Sequence, residues 1–135
     1  VGQSGAGKTT TALLWQKQSN ARILSDDRII LREQAGSIWM HGTPWHGEGH
    51  LSLAEKAPLD HIFFIRQWPD FELVTLAPTE ITARLFACGF PTFYYPPGIE
   101  FTLGLYETIA KLVPCHELRL RPELGVVDLV RQFIG

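Results

Sequence analysis

The motif with the most specific chemistry lies at the start of the chain. Residues 2–9 read GQSGAGKT and fit the pattern G-x-x-x-x-G-K-[ST] at every defined position. Glycines let the backbone curl until successive N–H groups converge on phosphate oxygens, and a helix that begins at Lys8 adds its positive N-terminal end. The Lys8 ammonium can reach the β- and γ-phosphates, and the Thr9 hydroxyl can bind Mg²⁺. The alternative is a glycine-rich turn without a nucleotide. The predicted nucleotide contacts are Gly2, Ser4, Gly5, Ala6, Gly7, Lys8, Thr9 and Thr10.

Two adjacent carboxylates, Asp26 and Asp27, follow the lysine of this motif by eighteen and nineteen residues. One helix, a turn and one short strand would fill that interval. The pair is therefore expected at the carboxyl edge of a strand beside the phosphate loop, where α/β sheets bind ligands. One acid can hold Mg²⁺ while the other accepts the proton of an attacking hydroxyl. The alternative is an acidic turn that precedes the next strand.

A second unusual segment, residues 42–50, reads GTPWHGEGH. Trp45 and His46 stand between glycines, although plain connectors usually avoid tryptophan. Glu48 can provide a second metal-binding carboxylate, and His46 can contact phosphate or substrate. The spacing His46-x-Glu-x-His50 also fits a zinc site, but phosphate chemistry favours Mg²⁺ with oxygen ligands. A purely structural loop is the remaining alternative.

The elements that must position these groups alternate along the chain. The spacing of apolar residues predicts helices over 8–19, 78–89, 98–113 and 125–134. It predicts strands over 21–25, 28–33, 37–41, 61–67, 71–77 and 115–120. Arg66 lies at the end of the most apolar strand and is a further candidate for a phosphate contact; the alternative is a surface arginine. This alternation indicates a layered α/β domain.

Composition excludes several other classes of protein. The 135 residues are 45% hydrophobic and 19% charged, which fits one globular domain. The formal net charge of -2 gives no general reason to expect nucleic acid or an anionic membrane as a partner. The longest uncharged stretch, residues 85–99, is too short and too interrupted by glycine and proline to span a bilayer. Cys88 and Cys115 have apolar neighbours and are expected as free core thiols, and the cytoplasm is the expected compartment.

Three segments together resemble the HPr serine kinase C-terminal domain superfamily. They are the phosphate loop at 2–9, the run Ser25-Asp26-Asp27-Arg28, and the sequence Gly-Thr-Pro-Trp-His-Gly-Glu at 42–48. That superfamily is in turn similar to the ATP-dependent phosphoenolpyruvate carboxykinases. The chain is most similar to diverged, HPr-kinase-related bacterial proteins. The resemblance covers residues 1–67, and the rest of the chain matches only in its order of strands and helices.

The resemblance implies a P-loop nucleotide-binding core with a mixed β-sheet flanked by helices. It implies transfer of a phosphoryl group from ATP, with Mg²⁺, to the hydroxyl of a serine or a small molecule. Lys8 and Thr9 match the phosphate-loop lysine and the metal-binding hydroxyl, and Asp26 and Asp27 match the paired aspartates. We expect Asp26 to act as the base, Asp27 as a metal ligand and Glu48 as a second metal-site acid. Assembly into homo-oligomers is a further expectation.

The position of the phosphate loop also bears on the expected extent of the domain. A phosphate loop normally follows a strand, and here only Val1 precedes it. We therefore expect residues 1–135 to be a single nucleotide-binding kinase domain that lacks its first strand. The HPr-docking segment of true HPr kinases is not found, which leaves a protein or a small molecule as the phosphoryl acceptor.

Other functions remain open from the sequence. A small-metabolite kinase of the shikimate-kinase style also carries an acid at this distance, but it needs an arginine-rich lid. The eight arginines include no pair closer than Arg119-x-Arg121. A nucleotide-binding module that acts as a sensor without catalysis is a second alternative. Carboxykinase chemistry is a third, although the substrate-binding residues of that family cannot be placed.

Overall fold

A computed structural model describes residues 1–121, 123 and 125–135, which form four helices and six strands. The helices are α1 (Lys8–Gln18), α2 (Pro78–Cys88), α3 (Pro96–Leu112) and α4 (Val126–Ile134). The strands are β1 (Ile29–Gln34), β2 (Ser37–Gly42), β3 (Lys56–Pro58), β4 (Ile62–Gln67), β5 (Glu72–Thr75) and β6 (Cys115–Leu120). None of the helices in these ranges has the length and the apolar character that crossing a bilayer requires.

The first sheet consists of β1, β2 and β3 in that order, and both neighbouring pairs are antiparallel. A two-residue turn joins β1 to β2, with φ values of 51° at Ala35 and 77° at Gly36. Positive φ at both central positions matches the right-handed twist of a tight hairpin, and glycine adopts it without strain. The turn fixes the register, so that Gln34 lies opposite Ser37.

The second sheet has the order β4-β6-β5, with β4 parallel and β5 antiparallel to the central strand β6. Val1 lies along the other side of β4. Its N–H donates to the Phe63 carbonyl at 2.7 Å, and its carbonyl accepts from the Ile65 N–H at 2.8 Å. These two bonds follow the pattern of a parallel pair. The glycine-rich loop therefore leaves the sheet at the carboxyl edge of β4 and β6.

Each face of the second sheet packs against its own set of helices. Because side chains alternate along a strand, Phe64 of β4 faces one side and Leu118 of β6 faces the other. The first side is buried with residues of β2, α2 and α3: Ile38, Ile81, Leu85 and Ile109. The second side is buried with α4 residues Val126 and Val130, and Trp15 of α1 packs against it. The glycine-rich loop is thus connected to a helix that lies on the second side.

The mixed α/β class that the sequence predicts is confirmed, but the strands are divided between two sheets. The predicted strand at 21–25 is wrong. In that run only Ser25 forms a bridge, to Ser52, and the Leu24 carbonyl accepts from the Leu53 N–H at 2.9 Å. The segment lies beside residues 51–53, from which the chain turns into β3. The two segments therefore form no ladder of strand hydrogen bonds longer than this single bridge. The strand β3 was not predicted, since three residues that end in Pro58 carry little pattern.

Both cysteines are free thiols, but only Cys115 belongs to the core as predicted. Cys115 is buried in the core, where burial raises the pKa of its thiol to about 11, while Cys88 is partly buried at the end of α2. A thiol with such a high pKa is almost fully protonated near neutral pH and is a poor nucleophile. Cys115 therefore acts as a small apolar core residue.

Candidate functional site

The glycine-rich loop turns sharply before α1. Gly5 and Gly7 have φ values of 80° and 97°, in the left-handed region that favours glycine. The Ala6 N–H donates to the Gln3 carbonyl at 3.1 Å, and Gly7 accepts from the N–H of Thr11 at 2.9 Å. The Thr11 hydroxyl donates to the same carbonyl at 2.8 Å. The loop therefore leads directly into the N-terminal turn of α1, where the N–H groups have no partner within the helix itself.

Two side chains hold the carbonyl groups of this loop. Lys8 donates from Nζ to the Gln3 carbonyl at 2.9 Å, so its ammonium lies across the loop. Gln67, at the end of β4, donates from Nε2 to the Gly5 carbonyl at 3.0 Å. The second bond ties the loop to the carboxyl edge of the sheet. Of the other predicted nucleotide contacts, Ser4 and Thr10 are exposed beside these residues.

Asp26 is buried and fully engaged by backbone donors. It is 8% exposed, and its Oδ1 accepts from the N–H groups of Gly47 at 2.8 Å and Leu51 at 3.2 Å. Its Oδ2 accepts from the Gly49 N–H at 2.7 Å. Burial alone would raise the pKa of Asp26, but these three hydrogen bonds outweigh it and lower the pKa below its usual value. Asp26 is therefore a stable carboxylate that anchors one side of the second segment, 42–50.

The anchored turn also contacts the first turn of α1. A Cβ atom added at Gly49 would lie 2.7 Å from Asp26 Oδ2 and 3.0 Å from Thr9 Cγ2. Glycine is required at this position because the backbone passes between an acid and a helix. The structure thus brings together three of the features that the sequence singles out: the phosphate-loop threonine, the first aspartate and the Trp-His loop.

Asp27 has a different environment from its neighbour. Its side chain is 40% exposed, and Oδ2 forms an ion pair with Arg28 Nε at 3.3 Å. The Asp27 N–H donates to Ser25 Oγ at 3.0 Å, and the Ser25 hydroxyl donates to the Trp45 carbonyl at 2.8 Å. Ser25 therefore holds the acid pair and the Trp-His loop together through the backbone. The Asp27 carboxylate itself faces solvent with one charged partner.

The other predicted site residues of the Trp-His loop are exposed. Glu48 and His46 both lie at the surface, and the rings of His46 and His50 are 4.7 Å apart between centroids. Among the residues that the structure describes, no three histidine, cysteine, aspartate or glutamate side chains gather into a metal-holding group. A zinc site needs such a set, whereas Mg²⁺ binds with one or two protein oxygens, phosphate oxygens and water.

Arg66 lies at the same edge of the sheet but forms part of a separate network. Its Nη1 is 3.8 Å from Oε1 of Glu117, a β6 residue that is 2% exposed. Arg84 and Arg119 also bind this carboxylate. The structure therefore pairs Arg66 with an acid that the sequence did not single out. Alternation along 115–120 places Glu117 on an inner face, but its arginine partners lie on three different elements.

A glycine-rich turn, the Thr9 side chain and the buried Asp26 carboxylate thus lie near one another beside an α/β sheet. Nucleotides bind at the edge of such a sheet in many folds. No protein-family model, curated protein or solved structure compared with this chain matches it.

Proposed function

We propose that this chain is an ATP- and Mg²⁺-dependent phosphotransferase of the HPr-kinase-like type. It would transfer the γ-phosphoryl group to the hydroxyl of a serine or of a small molecule. The observation that carries the proposal is the contact of the Asp26-anchored turn with Thr9, directly beyond the glycine-rich loop. A phosphate-binding turn with an adjacent carboxylate is what phosphoryl transfer to a hydroxyl requires.

Each residue then has a defined task. The N–H groups of the glycine-rich loop and of the first turn of α1 bind the phosphates. Lys8 exchanges the Gln3 carbonyl for phosphate oxygens, because an ammonium binds an anion more strongly than a neutral carbonyl. Thr9 and Asp27 would hold Mg²⁺, with Glu48 as a further acid. The metal ion would neutralise charge on the β- and γ-phosphates.

Transfer of the γ-phosphoryl group needs no reagent besides ATP and the acceptor hydroxyl. The acceptor oxygen forms a bond to the γ-phosphorus as the bond from that phosphorus to the β–γ bridging oxygen breaks. The hydroxyl proton passes to a carboxylate, and ADP leaves with the bridging oxygen. An aspartate of the pair is the proton acceptor that the resemblance implies, with Asp26 as the expected residue.

Nucleotide binding by the whole chain tests the first half of the proposal. Titration calorimetry with MgATP should give binding by the wild type and about tenfold to a hundredfold weaker binding by Lys8→Ala. Lys17→Ala is the matched control, because Lys17 is an exposed lysine in the last turn of the same helix. Its affinity should equal that of the wild type. A wild type that does not bind MgATP would overturn the proposal.

A second candidate is an ATP-binding module that does not transfer phosphate. It is favoured by the hydrogen bonds of Asp26, which leave this carboxylate a weak base. Phosphorus NMR separates the two functions by following ADP formation in the presence of serine peptides and polyols. Binding of MgATP without ADP formation above the buffer rate would support the module and exclude the kinase.

A further inference from the structure

The carboxylate of Asp26 has little capacity left for a substrate. Two carboxylate oxygens offer about four acceptor sites, and three backbone N–H groups occupy three of them here. The backbone also encloses Oδ2, since Asp26 is only 8% exposed and this oxygen accepts from the Gly49 N–H at 2.7 Å. An acceptor hydroxyl would have to displace the turn before it could reach this oxygen.

The same hydrogen bonds fix the backbone on both sides of Glu48. Gly47 and Gly49 donate to opposite oxygens of Asp26, and Glu48 stands between them. Gly49 in turn lies against Thr9. The position of Glu48 relative to the first turn of α1 therefore depends on a negative charge at residue 26.

The carboxylate of Asp27 is accessible to solvent, whereas that of Asp26 is enclosed by the backbone. Asp27 is half-exposed and has Arg28 as an ion-pair partner at 3.3 Å. Ion pairs at the surface contribute little to stability, so this one can be exchanged for another cation or donor at small cost. The Asp27 carboxylate is thus accessible to a ligand and the Asp26 carboxylate is not, although the two side chains are chemically identical.

We propose that Asp26 is a positioning residue, which acts by holding residues 47–51 against α1, and that Asp27 is the carboxylate of the pair that contacts metal or acceptor. This division reverses the role that the resemblance implies for Asp26. The part that concerns Asp27 rests on the proposed phosphotransferase function. The part that concerns Asp26 does not, because it depends only on contacts within the chain.

Amide hydrogen exchange in the whole chain tests the positioning role without any substrate. In the wild type the amides of Gly47, Gly49 and Leu51 should be protected. Asp26→Asn places an amide where Gly49 needs an acceptor, so these amides should exchange about tenfold faster or more. Asp27→Asn is the matched control and should leave them protected. Protection that persists in Asp26→Asn would overturn the proposal.

Gly49→Ala provides a second variant that keeps both aspartates. Its added methyl group would crowd Asp26 Oδ2 and Thr9, so it should release the turn as Asp26→Asn does. The amides of β4 and β6 should remain protected in both variants, which shows that the sheets are folded. If the turn opens in Asp26→Asn but stays protected in Gly49→Ala, the link to Thr9 is wrong.

Measurements of turnover then distinguish an error in the roles given to Asp26 and Asp27 from an error in the proposed phosphotransferase function. Asp27→Asn should abolish ADP formation with the turn intact. Asp26→Asn should raise the apparent KM for MgATP more than it lowers kcat. If Asp26→Asn loses all turnover while the amides of the turn stay protected, Asp26 is the base. That result would overturn the roles proposed for the two aspartates. If the wild type forms no ADP, the phosphotransferase proposal fails, and the exchange data still decide the positioning role.

Discussion

Arg84 of α2 donates a hydrogen bond from Nη1 to Oε2 of Glu117 on β6, at 2.6 Å. Glu117 is the most buried acid among the described residues, and Arg119 binds its other oxygen. Each of these arginines has a second acid, since Arg84 also binds Glu80 and Arg119 binds Glu72 at 2.8 Å. The network therefore joins α2, β5 and β6 through one buried charge.

Removal of that buried charge should destabilise the fold. We expect Glu117→Gln to lower the free energy of unfolding by about 3 kcal/mol, because Arg66, Arg84 and Arg119 lose their shared carboxylate. Arg84 keeps Glu80 and Arg119 keeps Glu72, which limits the loss. Urea unfolding followed by far-UV circular dichroism measures it. Glu80→Gln is the control, since Glu80 is half-exposed, and should cost at most about 1 kcal/mol. Equal losses for the two variants would contradict the role of burial.

The same acid should make stability depend on pH. Burial alone would raise the pKa of Glu117, but hydrogen bonds from Arg119 and Arg84 lower it below its usual value. A carboxyl whose pKa is lower in the folded state adds stability above its unfolded pKa of about 4.3. That stability is lost as the pH falls through the folded pKa. Thermal unfolding between pH 7 and pH 2 should show a fall in Tm that is shallower in Glu117→Gln. Parallel curves for the two proteins would exclude this contribution.

Gly42 should not tolerate a side chain. A Cβ atom there would overlap the Leu53 carbonyl oxygen and lie 3.2 Å from the Leu24 carbonyl oxygen. We expect Gly42→Ala to lower Tm by several degrees, since the backbone on both sides must move. Gly104→Ala in α3 is the matched control, because nothing lies within 4 Å of its added Cβ. It should be stabilising by up to about 1 kcal/mol, as alanine is the better helix former. A Gly42→Ala protein as stable as the wild type would contradict the close approach.

Gln67 should matter for nucleotide affinity although it lies outside the glycine-rich loop. Its side chain holds the Gly5 carbonyl at 3.0 Å, and its loss frees the loop to move. We expect Gln67→Ala to weaken MgATP binding by about fivefold, which corresponds to one hydrogen bond of about 1 kcal/mol. Gln16→Ala, at an exposed position of α1, is the control for calorimetry. Unchanged affinity in Gln67→Ala would show that the loop keeps its shape without this bond.

Much of the secondary structure could be predicted from apolar spacing. The strands predicted at 61–67 and 115–120 match β4 and β6 within one residue, because the first is strongly apolar, the second alternates between apolar and polar residues, and prolines lie close to both. The helix predicted from residue 98 begins two residues earlier, at Pro96, where the first turn accepts proline. The strand predicted at 21–25 failed, since a strand also needs a partner of equal length. Sequence patterns report burial but not pairing.

The sequence singled out three features that the structure places together, but it did not indicate the hydrogen bonds that join them. Spacing singled out Thr9, Asp26 and the Trp-His loop, and the structure brings them together. The donors that bind Asp26 are backbone N–H groups more than twenty residues away. Every residue except proline carries a backbone N–H group, so residue type does not indicate which of them will be the donors. The glycines at 47 and 49 were the available signal, because a backbone that packs against a carboxylate has no room for Cβ atoms.

The order β4-β6-β5 has a consequence for how the protein is made. The central strand of this sheet, residues 115–120, is synthesised after both of its neighbours. Until it leaves the ribosome, β4 and β5 have no shared partner, and Arg66 and Arg84 lack the carboxylate of Glu117. The second sheet therefore closes only once β6 has been made, through contacts between residues far apart in the chain, and such contacts form slowly. Until then the edges of β4 and β5 that pair with β6 are open, and open strand edges favour aggregation.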